Sequence, residues 1–193
     1  MSAVTQALAF RPVERGCLRV SEHWCAVRDG DVQALELFRR HYSCQNPARK
    51  LLGGNFSRFA GQGKPIILLS LDADALFVWR KEVFRLDKQE GVNCSVFRNE
   101  GRVLSSLLIR EAMVLAWERW PDDRLFTFVD AEKTGGGRSS RRGRGRRSAP
   151  GQCFLHAGWT LLDEGTKNHG HRILEVRPTR SPDPLLPERA SSL

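Results

Sequence analysis

Two sets of residues in this chain combine types and spacing that could do chemistry. The first is Arg98-Asn99-Glu100-Gly101-Arg102-Val103, which comes after a β-rich run, Val92 to Phe97, and opens a helical pattern. A strand that feeds a glycine turn and then a helix gathers backbone N–H groups and a positive helix end at one point, and that favours an anion. The expectation is an amide cradle at Asn99 to Val103 for a pyrophosphate-bearing donor, with Arg98 and Arg102 adding charge. The plainer reading is a glycine turn with solvated arginines. Ser105 and Ser106 fall in the first helical turn, where capping is the simpler use.

The second set is His41 and Asp130, one at the end of a predicted helix and the other at the end of a predicted strand. Such ends converge on one crevice in α/β units. A histidine beside a carboxylate could act as general base, or the two could hold a divalent metal ion. Otherwise His41 closes its helix and Asp130 caps the basic loop. Trp79, on an alternating strand pattern, is a candidate pocket wall.

Charge points to a partner. The chain carries a formal +9 over 193 residues. Lys133 with Arg138, Arg141, Arg142, Arg144, Arg146 and Arg147 supplies +7 in a stretch without acids, which leaves +2 for the rest. So local a cluster suits a polyanion, and the expectation is that these six arginines contact nucleic-acid phosphates, DNA above all. They stand among Gly and Ser without an aromatic, so base stacking by them is not expected. No apolar run is long enough for a membrane helix. Five dispersed cysteines without a Cys-x-x-Cys fit a reducing cytoplasm and argue against a disulfide framework or a Cys-rich zinc site.

The elements that must position these groups can be read from periodicity. Residues 1–22 lack it and are expected to be loosely ordered. Trp24 to Val27 reads as a strand, and 32–42 as an amphipathic helix capped by Asp31. Pro65 to Leu71 and Leu76 to Lys81 read as a hairpin, Val92 to Phe97 as a further strand. Val103 to Trp120 repeats apolar residues at helical spacing until Pro121 ends the pattern. Leu125 to Val129 is a short strand, residues 134–151 a low-complexity loop, Gln152 to Ala157 a short helix, and Trp159 to Leu162 with Arg172 to Val176 a terminal strand pair. The tail 178–193 is expected to be disordered. The result is one domain over 23–177, an α/β (α+β) fold with a mixed, mostly antiparallel sheet, in which 92–130 makes a single parallel crossover.

This order resembles the GNAT acyltransferase fold. Arg98-x-x-Gly101-x-Val103, followed by Leu107-Leu108 and Ala112, is similar to that family's phosphate-cradling segment. Cys153-Phe154-Leu155-His156-Ala157-Gly158-Trp159 is similar to its closing aromatic-x-x-x-Gly-aromatic pattern. The likeness covers about residues 65–176 and implies acyl transfer from a CoA-type donor. Two positions depart from it. Val103 stands where a Gly or Ala is usual, and Phe154 where many members have a Tyr that can protonate the leaving thiolate; phenylalanine has no proton to give. More distantly, His41-Tyr42-Ser43 and the strand end Thr127-Phe128-Val129-Asp130 resemble motifs of Mom-type proteins, phage enzymes of GNAT fold that modify DNA adenine.

The expected function is therefore a GNAT-fold transferase, of phage or prophage type, that modifies a nucleic-acid base or nucleotide amine in the cytoplasm. One alternative is an ordinary CoA-dependent N-acyltransferase for a small amine or protein. The other is a non-catalytic nucleic-acid-binding protein on a degenerate GNAT scaffold.

Overall fold

The computed structural model describes residues 17–45, 58–134, 151–163, 165–166 and 170–178. The arginines at 138–147 and His169 lie outside the described residues. Strands β1 (Leu18–Arg19), β2 (Trp24–Val27), β3 (Lys64–Ser70), β4 (Ala75–Lys81), β5 (Val92–Asn99), β6 (Leu125–Val129), β7 (Thr160–Leu161) and β8 (Arg172–Val176) form one sheet. Its order is β1-β2-β3-β4-β5-β6-β8-β7. Every neighbouring pair is antiparallel except β5 and β6, which are parallel. Among the described residues the α-helices are α1 (Val32–Arg40), α2 (Ser105–Arg119), α3 (Ala131–Thr134) and α4 (Gln152–His156). The fold class is thus a mixed α+β sheet protein.

Sequence and structure agree closely on α1. The Asp31 carboxylate accepts a hydrogen bond from the Ala34 N–H, and Ala34, Leu35, Leu37 and Phe38 turn inward. The helix stops at Arg40, and a 3-10 turn, Tyr42–Gln45, comes next. Strand β4 shows why the sheet has two packed faces. Ala75, Phe77 and Trp79 belong to the core under α2, while Leu76 and Val78 belong to the core under α1. Two indole N–H groups fasten α2 to the sheet: Trp24 donates to the Leu108 carbonyl at 2.9 Å and Trp79 to the Ala112 carbonyl at 2.8 Å. Phe77 is fully buried among Trp24, Trp79 and Phe97. Phe77→Ala should therefore cost about 3–5 kcal/mol in a denaturant titration, the range for an emptied aromatic site. A loss under ~1 kcal/mol would mean that this core is not formed as described.

The sheet is interrupted at one place. Val78 faces Val96 across the β4–β5 ladder and Trp79 faces Cys94, so Ser95 is an extra residue, a β-bulge. The parallel β5–β6 pairing runs from Val92 and Leu125 to Cys94 and Thr127 and ends there. Beyond that point β5 stays with β4, and β6 stays with β8 through Phe128–Ile173 and Val129–Arg172. The sheet splits where the bulge begins. The buried Thr127 hydroxyl donates to the Cys94 carbonyl at 2.9 Å, at the last paired position.

The expected terminal strand pair is present, with β8 between β6 and β7. Two features differ from expectation. The short strand β1 forms within the stretch expected to be loosely ordered. A disulfide joins Cys17 to Cys25, with Cα atoms 5.5 Å apart, where the dispersed cysteines argued against a disulfide framework. The bridged residues are brought together by the β1–β2 ladder, which a tally of cysteines does not see. Among the described residues no helix is long and apolar enough to cross a membrane.

Candidate functional site

The split between β5 and β6 holds a cavity of about 250 Å³. Four parts of the chain meet there: His41 and Tyr42 from the end of α1, Cys94 to Phe97 from β5, Thr127 to Val129 from β6, and Gly151 to Phe154 from the start of α4. The crevice beyond the carboxyl ends of parallel strands is where α/β sheets place ligands. One end of this cavity is aromatic, with Phe154 packed 5.8 Å from Phe97 and 4.8 Å from Trp159, centroid to centroid.

His41 is buried in this wall. The Ser43 backbone N–H donates to its Nδ1 at 3.2 Å, and the Ser43 hydroxyl lies 2.8 Å from the same atom. A backbone N–H can only donate, so Nδ1 is an acceptor and the neutral ring carries its proton on Nε2. A ring so fixed acts as a hydrogen-bond donor through Nε2; taking a proton or ligating a metal there would need that nitrogen's lone pair.

Tyr42 packs on His41 with ring centroids 4.3 Å apart. Burial pushes its hydroxyl up to about 12, against a hydrogen bond from the Asp130 backbone. The phenol is therefore protonated at neutral pH. It stands in the same cavity as Phe154, which lacks the hydroxyl. The two thiols of the wall are also protonated: burial drives Cys94 well above the usual thiol range and raises Cys153. Neither is poised as a nucleophile.

Asp130 does not line the cavity. Its carboxylate caps α3, accepting from the Lys133 N–H at 3.2 Å, and lies 3.4 Å from Lys133 Nζ and 3.9 Å from His171 Nε2. The histidine beside Asp130 is thus His171, and what links the strand end to the His41 segment is Tyr42. Among the described residues the one three-residue cluster of metal-ligating type is Glu22, His23 and Glu111. There His23 Nδ1 and the Ser21 hydroxyl engage the two Glu111 oxygens at 2.5 and 2.6 Å, so the carboxylate works as a latch between β2 and α2.

The turn at 98–103 is built differently from an open cradle. The Glu100 N–H donates to the Asp74 carbonyl at 2.8 Å and the Gly101 N–H to Asn99 Oδ1 at 2.9 Å. A Cβ on Gly101 would lie 2.0 Å from an Asp74 carboxylate oxygen. Asn99 Nδ2 also reaches the Val103 carbonyl and the Ser105 hydroxyl. Val103 packs on the α2 core, and Arg102 is exposed. A phosphate approaching Gly101 would meet a carboxylate, and two of the amides are already engaged, so these residues do not fit the pyrophosphate of a CoA-type donor as they stand.

The charges of the turn serve another end. Glu100 takes a two-pronged pair from Arg40, both contacts 2.9 Å, and a third from Arg98 at 2.5 Å. Arg98 also donates to the Arg40 carbonyl at 2.7 Å. Arg40, helped by Arg98, holds the Glu100 carboxyl below its ordinary value against the opposing effect of burial. This clamp fixes the last residue of α1 to the end of β5 and so positions His41 and Tyr42.

Residue types alone do not single out Tyr42 as a cavity phenol, or Ser95 and Thr127 as the opening of the sheet. One signal for the bulge is present: Val96 and Phe97 are consecutive apolar residues in a strand that otherwise alternates.

The chain matches no family model, and comparison with curated proteins and with solved structures returns no match for it.

Proposed function

We propose that this chain is a group transferase that passes an acyl-type group to an amine, with a nucleic-acid base or nucleotide as acceptor. The observation that carries the proposal is the split in the sheet: a parallel pair opens at a bulge, and the opening holds a half-buried phenol beside a buried imidazole. In this reading the acceptor nitrogen attacks the carbonyl carbon of the donor. The Nε2–H of His41 donates to the carbonyl oxygen as charge collects on it. The C–N bond forms, the bond to the leaving group breaks, and the Tyr42 hydroxyl gives its proton to that group. The proton lost by the amine restores the phenol. Tyr42 thereby does what Phe154 cannot.

The donor need not carry a pyrophosphate, since the turn at Gly101 does not fit one. The arginines at 138–147 support a nucleic-acid acceptor from their sequence alone. Their segment joins α3 to α4, and Val129 and Gly151, which flank those elements, both line the cavity. A nucleic-acid acceptor would put the work in the cytoplasm; the Cys17–Cys25 bridge counts against a reducing compartment.

The filled turn at Gly101 favours one rival, a nucleic-acid binder without catalysis. Deleting residues 138–147 separates the readings. Transfer to DNA that disappears with the segment, together with binding that falls steeply with salt, is the expected result. Transfer to a small amine that survives the deletion would favour an ordinary N-acyltransferase. Salt-dependent binding without transfer to any amine would leave only the binder.

A further inference from the structure

Three large apolar side chains stand in solvent within four consecutive residues of the β4–β5 connection. Val83 is fully exposed, Phe84 is 81% exposed and Leu86 92%. Single exposed apolar residues are ordinary, but a contiguous group marks a surface that something covers. The group is held in shape. Between Phe84 and Leu86, Arg85 turns inward: its guanidinium takes Asp87 at 2.6 and 2.9 Å and Glu82 at 2.5 Å, and stands 5.2 Å from the Phe126 ring. The Lys88 N–H donates to the Arg85 carbonyl at 3.2 Å and the Gln89 N–H to Asp87 Oδ1 at 3.1 Å, which closes the turn. An open groove of about 530 Å³ lies along Phe84 and Leu86.

Charge narrows what covers this surface. Arg80 is matched by Glu82, Lys81 by Asp123, and Arg85 by Glu82 and Asp87. Of the cations at 80–91, Lys88 alone has no carboxylate partner among the described residues. Phosphates of a nucleic acid or an anionic bilayer are held by several uncommitted cations. One lysine does not make such a site, and an apolar, nearly neutral peptide fits better.

The chain itself supplies that peptide at this place. Glu175 faces Phe126 across the β6–β8 ladder. Arg124 joins the Glu175 carboxylate to Gln89 Oε1, at 2.8 Å, and to the Glu90 carbonyl, at 3.1 Å. Arg177 lies 3.8 Å from Glu175, so the chain passes Pro178 at the foot of the connection. Residues 179–193 continue from there in the sequence, and they contain one pair of adjacent large apolar residues, Leu185-Leu186, between Pro184 and Pro187. Leu185 is seven residues beyond Pro178. That is an extended reach of about 23–25 Å, against about 18 Å for a ten-residue connection doubled back on itself. Prolines on both sides narrow the conformations open to the leucines and lower the entropy lost when they dock. Asp183 is the one charge of 182–187, and it complements Lys88.

We propose that residues 182–187 dock on this surface within the same chain, with Leu185 and Leu186 against Phe84 and Leu86 and Asp183 beside Lys88. The segment is a cover that keeps the apolar group from water and from other chains. It does not depend on transfer, and no step of the proposed reaction passes through it.

The test is photo-crosslinking in the full chain with Phe84 replaced by p-benzoylphenylalanine, in a mixture of unlabelled and nitrogen-15-labelled chains that tells contact within a chain from contact between copies. The expected result is a cross-link from position 84 to 182–187 of the same chain, lost when Leu185→Asp and Leu186→Asp are combined. Hydrogen exchange reads the same contact without the probe. Amides of residues 83–88 should exchange about tenfold faster in a chain that stops at Pro178 than in the full chain. A cross-link to another segment of the chain, to a second copy, or to the lipid of added phosphatidylglycerol vesicles in preference to 182–187 would each overturn the proposal. Equal exchange in the two chains would overturn it whatever the cross-linking shows.

Discussion

Tyr42→Phe should lower transfer about 10²–10⁴-fold, the usual worth of a positioned proton donor. The variant keeps the ring that packs on His41 and removes only the hydroxyl, so its fold and its binding of nucleic acid should be unchanged. The chain has a single tyrosine, and its phenolate absorbance therefore reports this site alone. The titration should show a phenol that ionises near 12 rather than 10. Stability is linked to this shift. The folded protein retains the proton between pH 10 and about 12, whereas the unfolded chain has released it, so the unfolded state is favoured as pH rises through that window. The contribution is fully present below pH 10 and is lost by about 12. Such a shift corresponds to a loss on the order of 2–3 kcal/mol, which Tyr42→Phe should not show. A phenol that titrates at its ordinary value would mean that Tyr42 is solvated and that the cavity is not closed around it.

His41→Phe should lower the maximal rate about 10²–10³-fold, as loss of one donor to a developing oxyanion does. The effect should fall on kcat with KM for the acceptor little changed, because the hydrogen bond strengthens only as the carbonyl oxygen gains charge. A structural role alone would move stability and KM together. The tautomer can be read independently. Nitrogen NMR of the folded protein should show an unprotonated Nδ1, the atom that accepts from Ser43, and a protonated Nε2. A proton on Nδ1 would exclude the donor role and make His41 a candidate base again. Because α1 ends under the Arg40–Glu100–Arg98 clamp, Glu100→Gln should weaken transfer modestly by loosening both His41 and Tyr42.

Local chemistry made much of this fold legible. The Asp31 cap, the inward apolar residues of α1 and the stop before Pro121 define the two long helices without tertiary information. The strand–helix–strand run 92–130 implies its parallel crossover by length and order. What the sequence conceals is long-range. Asp74 reads as part of a hairpin turn; only the folded sheet brings its carboxylate against Gly101, where it fills the place foreseen for a phosphate. Asp130 has the strand-end position expected of the carboxylate beside His41, and in the fold its carboxylate caps α3. The Tyr42 contact with Asp130 joins residues far apart in the chain. The bulge at Ser95 changes which face Val96 occupies, and alternation read straight through would put Val96 on the face of Val92 and Cys94. The cavity in the split is lined by that extra residue.

The most direct measurement is nucleoside mass spectrometry on nucleic acid from cells that express the chain, beside cells that express Tyr42→Phe. Transfer through the split sheet predicts a base with added mass in the first sample and little or none in the second, the mass identifying the group. Nucleosides identical in the two samples and in cells without the chain would contradict a nucleic-acid transferase.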